Sequence, residues 1–220
     1  MNDPNPHLVE RMQGHRLSIF AEMSMLALET GAINLGQGFP DTDGPSEVLD
    51  AAVAAIRAGH NQYPPDRGIP ELRQAVADHQ RRFYGLDVDP ADVMVSTGAS
   101  EALGASILAL VEPGQEVVVF EPYFDLYAAI IELAGGVRRS VTLRAPDYSF
   151  DQADLEAAIG PDTRLILLNT PHNPTGKVFS SDELAAIAQV ALQHDLLVVT
   201  DEVYEHMTYD GIRHVPLATL

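Results

Sequence analysis

Polar residues able to bind a ligand follow two apolar segments of this sequence. Residues 165–168 lead into the polar residues 169–177, and residues 196–199 lead into residues 200–204. Both apolar segments are typical of buried strands. Ligands of open α/β sheets bind at the carboxyl ends of strands, because the loops converge there and helix N-termini point inward. The sequence therefore predicts one ligand site formed from the two polar stretches.

Asp201 and Glu202 follow the four apolar residues 196–199 after one intervening threonine, a pattern that is also typical of the strand that holds Mg²⁺ in P-loop ATPases. Such proteins need a G-x-x-x-x-G-K-[ST] loop to bind the phosphates. Here Gly176 is followed two positions later by Val178 instead of serine or threonine, and Pro171 stands where the first glycine belongs. The sequence therefore argues against an ATPase.

Gly36 and Gly38 begin a pattern that partly matches the G-x-G-x-x-G fingerprint of dinucleotide-binding domains. Asp41 replaces the third glycine, and Pro40 prevents a helix from beginning at once. The dinucleotide-binding hypothesis therefore fails.

His206 has the carboxylates Asp201, Glu202 and Glu205 close to it in sequence, which raises the question of a metal site. The sequence has neither an H-E-x-x-H motif nor the spacing of a two-histidine, one-carboxylate triad. We therefore interpret these residues as surface charges and expect no metal.

Residues 97–100, Thr-Gly-Ala-Ser, stand between a predicted strand and a predicted helix. The free N–H groups and the dipole at a helix N-terminus favour a phosphate there. Small residues at such a position also serve packing, so the pattern alone leaves both interpretations open. Phe124, which follows another predicted strand, is likewise compatible with a ligand contact or with ordinary core.

The elements that must position these residues alternate between strands and helices. Apolar periodicity, capping residues and glycine or proline stops predict them. Helices are expected at residues 17–29, 46–58, 70–84, 101–111, 124–134, 151–159 and 180–194, and strands at 92–96, 116–120, 137–143, 164–168 and 196–199. This alternation predicts an α/β fold, a three-layer α/β/α sandwich with a mostly parallel sheet.

Composition excludes several classes of partner. The 220 residues carry a formal charge of −19, which would repel nucleic acid and anionic membranes. Neither a signal peptide nor an apolar run of about 18 residues is present, so we expect no membrane span. The absence of cysteine excludes disulfides and cysteine nucleophiles and fits a cytoplasmic location.

Five motifs, taken together and in order, closely resemble the class I/II pyridoxal-phosphate aminotransferases of fold type I. They are N-L-G-Q-G-F-P at 34–40, N-Q-Y at 61–63, E-P-Y-F-D at 121–125, N-x-P-x-N-P-T-G-K at 169–177 and T-D-E-V-Y at 200–204. The resemblance covers about residues 17–220 and favours the branch of kynurenine, methionine and succinyldiaminopimelate transaminases. It implies pyridoxal 5′-phosphate as cofactor, an amino acid and a 2-oxo acid as substrates, and a homodimer.

The resemblance also implies roles for single residues at the cofactor. Asp201 would hold the protonated pyridine nitrogen, Asn173 and Tyr204 would donate to the ring oxygen O3′, and Phe124 would stack on the ring. The phosphate would lie at the helix N-terminus. The implied cofactor-binding residues are Gly98, Ala99, Ser100, Phe124, Asn173, Asp201 and Tyr204.

Four further residues are implied at the substrate. Gly38 would offer its backbone to the substrate carboxylate, Phe20 and Phe39 would line the side-chain pocket, and Tyr63 would reach into the active site of the neighbouring subunit. His172 occupies a position where other branches carry asparagine, and the resemblance gives it no role.

The chain departs from the family pattern in its lysines. The only lysine is Lys177, which matches a loop residue of the family, whereas the Schiff-base lysine lies in an S-x-x-K segment downstream of T-D-E-V-Y. We therefore expect residues 1–45 to form an N-terminal arm with the first helix, residues 46–220 to form an incomplete large cofactor-binding domain, and the C-terminal small domain to be absent. The expected function is transamination, and the alternatives are an inactive fragment or a carbon–sulfur β-lyase on the same scaffold.

Overall fold

The computed structural model describes residues 7–14, 19–36, 38, 40 and 42–220. The chain divides into two compact units, the first comprising residues 1–14 and 70–220 and the second residues 15–69. The predicted domain boundary after residue 45 stays a prediction, and Phe39 lies outside the described residues.

The first unit contains a four-stranded sheet in which every strand is parallel to its neighbours. The strands are β1 (Glu116–Glu121), β2 (Val137–Thr142), β3 (Thr163–Asn169) and β4 (Leu197–Asp201), and their order is β2-β1-β3-β4. Because β1 and β3 lie in the centre, they are the most buried strands and read as continuous apolar runs. The predicted parallel sheet is confirmed.

The described residues include seven α-helices. They are α1 (Ile19–Thr30), α2 (Ser46–Arg57), α3 (Pro70–Tyr84), α4 (Gly98–Leu110), α5 (Leu126–Leu133), α6 (Gln152–Ala157) and α7 (Ser181–Gln193). Short 3₁₀ turns occur at Glu10–Met12, Pro90–Asp92 and Leu217–Thr219. Among the described residues, none of these helices combines the length and apolar character that crossing a membrane requires.

Two apolar clusters cover the two faces of the sheet, because successive side chains of a strand point to opposite faces. On one face, Val118 and Ile166 pack with α6 and α7; on the other, Val117 and Leu165 pack with α4 and α5. The helices therefore form a layer on each side of the sheet. The predicted three-layer α/β/α sandwich is confirmed.

Helix α7 begins with the capping box that the sequence predicts. The Ser180 hydroxyl accepts a hydrogen bond from the N–H of Glu183, and the Glu183 carboxylate accepts one from the N–H of Ser180. Both groups satisfy N–H donors that a helix start otherwise leaves without partners.

The strand predicted at residues 92–96 is wrong. Pro90–Asp92 form a 3₁₀ turn, and residues 93–96 are not paired with any strand of the part of the chain that the structure describes. The N–H of Val93 donates to the carbonyl of Pro90, and the Arg73 guanidinium donates to the Val93 carbonyl. A strand exists only through hydrogen bonds to a neighbour, and these groups are bonded locally instead.

Candidate functional site

The two polar stretches meet at the carboxyl ends of β3 and β4. These strands are adjacent, and their register places Asn169 opposite Asp201. The Asn169 side chain donates a 2.8 Å hydrogen bond to the Asp201 carbonyl, and the Thr170 N–H donates to the same oxygen at 3.1 Å. The predicted proximity of the two stretches is thus present in the fold.

Asp201 presents a buried carboxylate that is held in one orientation. The residue is 8% exposed; its Oδ2 accepts a 2.7 Å hydrogen bond from the Tyr127 hydroxyl, and its Oδ1 accepts one from the Val203 N–H at 3.3 Å. Burial of a carboxylate is costly unless hydrogen bonds compensate it. Because a carboxylate has about four lone-pair sites, Asp201 can accept a further donor.

Tyr127 is a site residue that sequence reasoning missed. It lies in the first turn of α5, is 2% exposed and stands edge-to-face with Phe124 at 5.9 Å between ring centroids. Burial raises the pKa of Tyr127, and the hydrogen bond to Asp201 raises it further, so the phenol stays protonated and acts as a donor. Its spacing of three residues from Phe124, across the start of a helix, was the available signal.

The loop after β3 is fixed by its own hydrogen bonds. The Asn173 N–H donates to Oδ1 of Asn169 at 2.6 Å. The His172 N–H donates to the Lys177 carbonyl, and the Gly176 N–H donates to the His172 carbonyl, both at 2.8 Å. Asn173 is therefore held close to the end of β4 by the side chain of the residue that ends β3.

His172 is a buried part of this loop and is neutral near pH 7. It is 3% exposed, and Nδ1 forms a 2.8 Å hydrogen bond with the Thr175 hydroxyl. Burial lowers the pKa of His172 to about 4; the Lys177 charge adds to the shift, and a hydrogen bond to the Phe120 backbone opposes it. These contacts give His172 a structural role in holding the loop.

Helix α4 directs its N-terminus toward the same region. Gly98 begins the helix with φ +80°, a left-handed conformation that glycine adopts without strain. The Thr97 N–H donates to the Glu101 carboxylate, which caps the first turn. The first turn of a helix of this length carries free N–H donors and a partial positive charge.

A cavity of about 110 Å³ lies between the start of α4, the start of α5 and the ends of β3 and β4. Six of the seven predicted cofactor-binding residues line it, and Gly98 precedes the first of them in the chain. The complete lining is Ala99, Ser100, Leu103, Phe124, Tyr127, Asn169, Asn173, Asp201, Val203 and Tyr204. Asn173 and Tyr204 also line a cavity of about 290 Å³, and Ala99 and Asp201 line one of about 250 Å³.

The predicted substrate-binding residues lie in the second unit. Phe20 is a partly buried residue of α1, Gly38 is exposed, and Tyr63 is 100% exposed. The cavity lies in the first unit. Contacts of these three residues with a substrate therefore stay predictions.

Lys177 is held by contacts within the first unit. Its ammonium group lies 2.8 Å from Oε1 of Glu183 and 5.2 Å from the ring centroid of Phe179, and its side chain is 10% exposed. This environment is that of a structural ion pair between the loop and α7.

Comparisons with known proteins agree on one family. The family model described as aminotransferase class I and II matches residues 30–220. The chain is 50% identical over 214 residues to a probable N-succinyldiaminopimelate aminotransferase of Mycobacterium tuberculosis, covering 96% of this chain and 54% of that protein. It is 42% identical to the methionine aminotransferase of Escherichia coli, covering 90% of this chain and 51% of that protein.

Solved structures give the same result. The N-succinyldiaminopimelate aminotransferase of Mycobacterium tuberculosis superimposes with a TM-score of 0.92 at 50% identity, covering 96% of this chain and 56% of the other. The aspartate aminotransferase of Thermus thermophilus, solved with maleate, has a TM-score of 0.91 at 36% identity, with 96% and 57% covered. The chain spans about half the length of the curated relatives it matches.

Proposed function

The chain belongs to the class I and II aminotransferases, and on that premise we propose that it binds pyridoxal phosphate and serves the transfer of an amino group between an amino acid and a 2-oxo acid. The observation that carries this proposal is the buried Asp201 carboxylate, which Tyr127 orients at the wall of a cavity. The names of its relatives, which include succinyldiaminopimelate and methionine aminotransferases, support the same reaction class.

The residues at the cavity fit the chemical groups of this cofactor. A pyridinium nitrogen needs a carboxylate, a phenolate oxygen needs hydrogen-bond donors, an aromatic ring needs an apolar face, and a phosphate needs N–H groups. The cavity offers the carboxylate of Asp201, and Asn173 and Tyr204 are its hydrogen-bond donors. The apolar face is the ring of Phe124, and the N–H groups are those at the start of α4. Bound pyridoxal phosphate would supply the electron sink that bond cleavage at the α-carbon of an amino acid requires.

Each of these residues would contact one chemical group of the bound cofactor or one of its partners. Asp201 would keep the proton on the pyridine nitrogen, and Tyr127 would keep the Asp201 carboxylate in place. Asn173 and Tyr204 would donate hydrogen bonds to the ring oxygen O3′. Phe124 would cover one ring face, and the N–H groups of Gly98, Ala99 and Ser100 would hold the phosphate.

Substrate recognition belongs to the same proposal. Gly38 would bind the substrate carboxylate, Phe20 would line the pocket for the side chain, and Tyr63 would complete the site of a second copy in a homodimer. The full exposure of Tyr63 is compatible with such a contact.

Lys177 would not form the Schiff base with the cofactor. It lies upstream of residues 200–204, whereas the Schiff-base lysine of the family lies downstream. In the fold, the Lys177 ammonium group forms an ion pair with the Glu183 carboxylate. A second candidate is that residues 1–220 bind the cofactor without catalysis of their own, because Lys177, the only lysine among them, is engaged with Glu183.

A turnover assay separates these possibilities. The natural protein that contains residues 1–220, called the full protein below, would be incubated with pyridoxal phosphate, 2-oxoglutarate and a panel of amino donors. The panel includes N-succinyldiaminopimelate, methionine and kynurenine. We expect glutamate and the matching 2-oxo acid in equal amounts. Pyruvate released from cystathionine without glutamate would indicate a β-lyase. Binding of pyridoxal phosphate without turnover of any donor would support the non-catalytic candidate.

A further inference from the structure

Three side chains with metal-binding atoms converge between α3 and the turn that follows β4. His79 and His206 place their Nε2 atoms 2.9 Å apart, and Oε1 of Glu205 lies 3.5 Å from the first and 3.8 Å from the second. His79 and His206 are 127 positions apart in sequence, but all three residues belong to the same compact unit. Such a group could hold a metal ion.

The spacing of the three atoms suits one small divalent ion. The centre of a triangle with these sides lies about 2.0 Å from each corner, which is the usual length of a Zn–N or Zn–O bond. The distances therefore leave room for one such ion among the three atoms.

The surroundings of Glu205 hold its carboxylate at this place. The Glu205 N–H donates to the Glu202 carbonyl at 2.9 Å, which fixes the turn. The Tyr84 hydroxyl donates a hydrogen bond to the Glu205 carboxylate. Partners of this kind orient the ligands in known metal sites.

The two imidazole rings are positioned by packing against an aromatic neighbour. The Phe83 ring centroid lies 4.7 Å from that of His79 and 4.9 Å from that of His206. The side chains of His79 and Glu205 are 29% and 22% exposed, and that of His206 is 54% exposed. The group is therefore open to solvent on one side, where an ion can enter and keep a water ligand.

The sequence alone predicts no metal at Glu205 and His206, but the fold adds His79 to them, and we propose that these three residues form a Zn²⁺ site. Two neutral imidazoles and one carboxylate are the ligands that a borderline ion such as Zn²⁺ prefers, and water would complete a tetrahedron. The chain charge of −19 favours cation binding in general. Because Glu205 directly follows Tyr204, the ion would tie the segment that lines the candidate cofactor cavity to α3. This role is structural, and it does not rest on the proposed transaminase function.

Metal binding can be measured on the full protein prepared without a histidine tag. After chelation and desalting, Zn²⁺ would be titrated by calorimetry, and the bound metal would be counted after gel filtration. We expect about one Zn²⁺ per chain. His206→Asn should weaken the affinity at least about 10-fold, since changes even beyond the direct ligands reach that size. His60→Asn, an exposed histidine of the second unit, should leave it unchanged.

Two further measurements make the result decisive. X-ray absorption of the zinc-loaded protein should show two imidazole ligands, and one in His206→Asn if any zinc remains. Zinc should raise the melting temperature of the wild type and of His60→Asn more than that of His206→Asn. Equal affinity in the two variants, or the lack of stoichiometric zinc in the wild type, would overturn the proposal.

Discussion

The Tyr127 hydroxyl donates a 2.7 Å hydrogen bond to Oδ2 of Asp201 and so joins α5 to the end of β4 across 74 positions of sequence. Both residues are buried, and both line the candidate cofactor cavity. The bond compensates part of the cost of burying the carboxylate and fixes its direction.

Tyr127→Phe removes only this hydroxyl. A buried acceptor that loses its donor costs about 1–3 kcal/mol, so we expect the free energy of unfolding to fall by that amount in urea denaturation. We also expect weaker binding of pyridoxal phosphate, because the Asp201 carboxylate loses its orientation. Tyr209→Phe, at a residue 71% exposed, is the control for stability. Equal stability of both variants would contradict the role of the bond.

His172 should make stability depend on pH. Its folded pKa is lowered to about 4 from an ordinary value of 6.5, so the unfolded chain takes up a proton first as the pH falls. Stability is therefore fully present above pH 6.5 and decreases between about pH 6.5 and 4. The loss reaches at most about 3 kcal/mol.

The His172→Gln variant tests this assignment. Urea denaturation at several pH values should show a shallower dependence between pH 6.5 and 4 than in the wild type, even where the variant is less stable overall. His194→Gln, at an exposed residue, should keep the wild-type slope. An unchanged slope in His172→Gln would show that other groups cause the acid sensitivity.

Lys177 should matter for stability and not for the chemistry. Lys177→Met breaks the ion pair with Glu183, and partly exposed pairs contribute up to about 1 kcal/mol. Lys177→Arg keeps the charge and cannot form a Schiff base. We therefore expect Lys177→Arg to retain both stability and transaminase activity in the full protein. A folded but inactive Lys177→Arg variant would make Lys177 the catalytic lysine after all.

Sequence patterns predicted those elements that depend on local chemistry. The apolar runs at residues 116–120 and 164–168 became central strands because their β-branched residues and leucines fill both faces of the sheet. The capping box at Ser180 was also predictable, since both of its partners lie within one helical turn. The three-layer architecture followed from the order of these elements.

Relationships that span the fold were not predictable from such patterns. The strand expected at residues 92–96 failed because strand formation depends on a neighbour, which the residues themselves do not specify. Tyr127 and His79 were missed because their partners lie 74 and 127 positions away. The proposed cofactor roles came from family motifs, which the periodicity of the chain could not have supplied.

The central claim is that Asp201 holds the cofactor. Equilibrium dialysis of the full protein against pyridoxal phosphate should be compared for the wild type, Asp201→Asn and the exposed control Asp195→Asn. Loss of a charged hydrogen bond costs about 1.5–3 kcal/mol, so Asp201→Asn should bind about 10- to 100-fold more weakly, and Asp195→Asn should bind like the wild type. Wild-type affinity in a folded Asp201→Asn variant would contradict the claim.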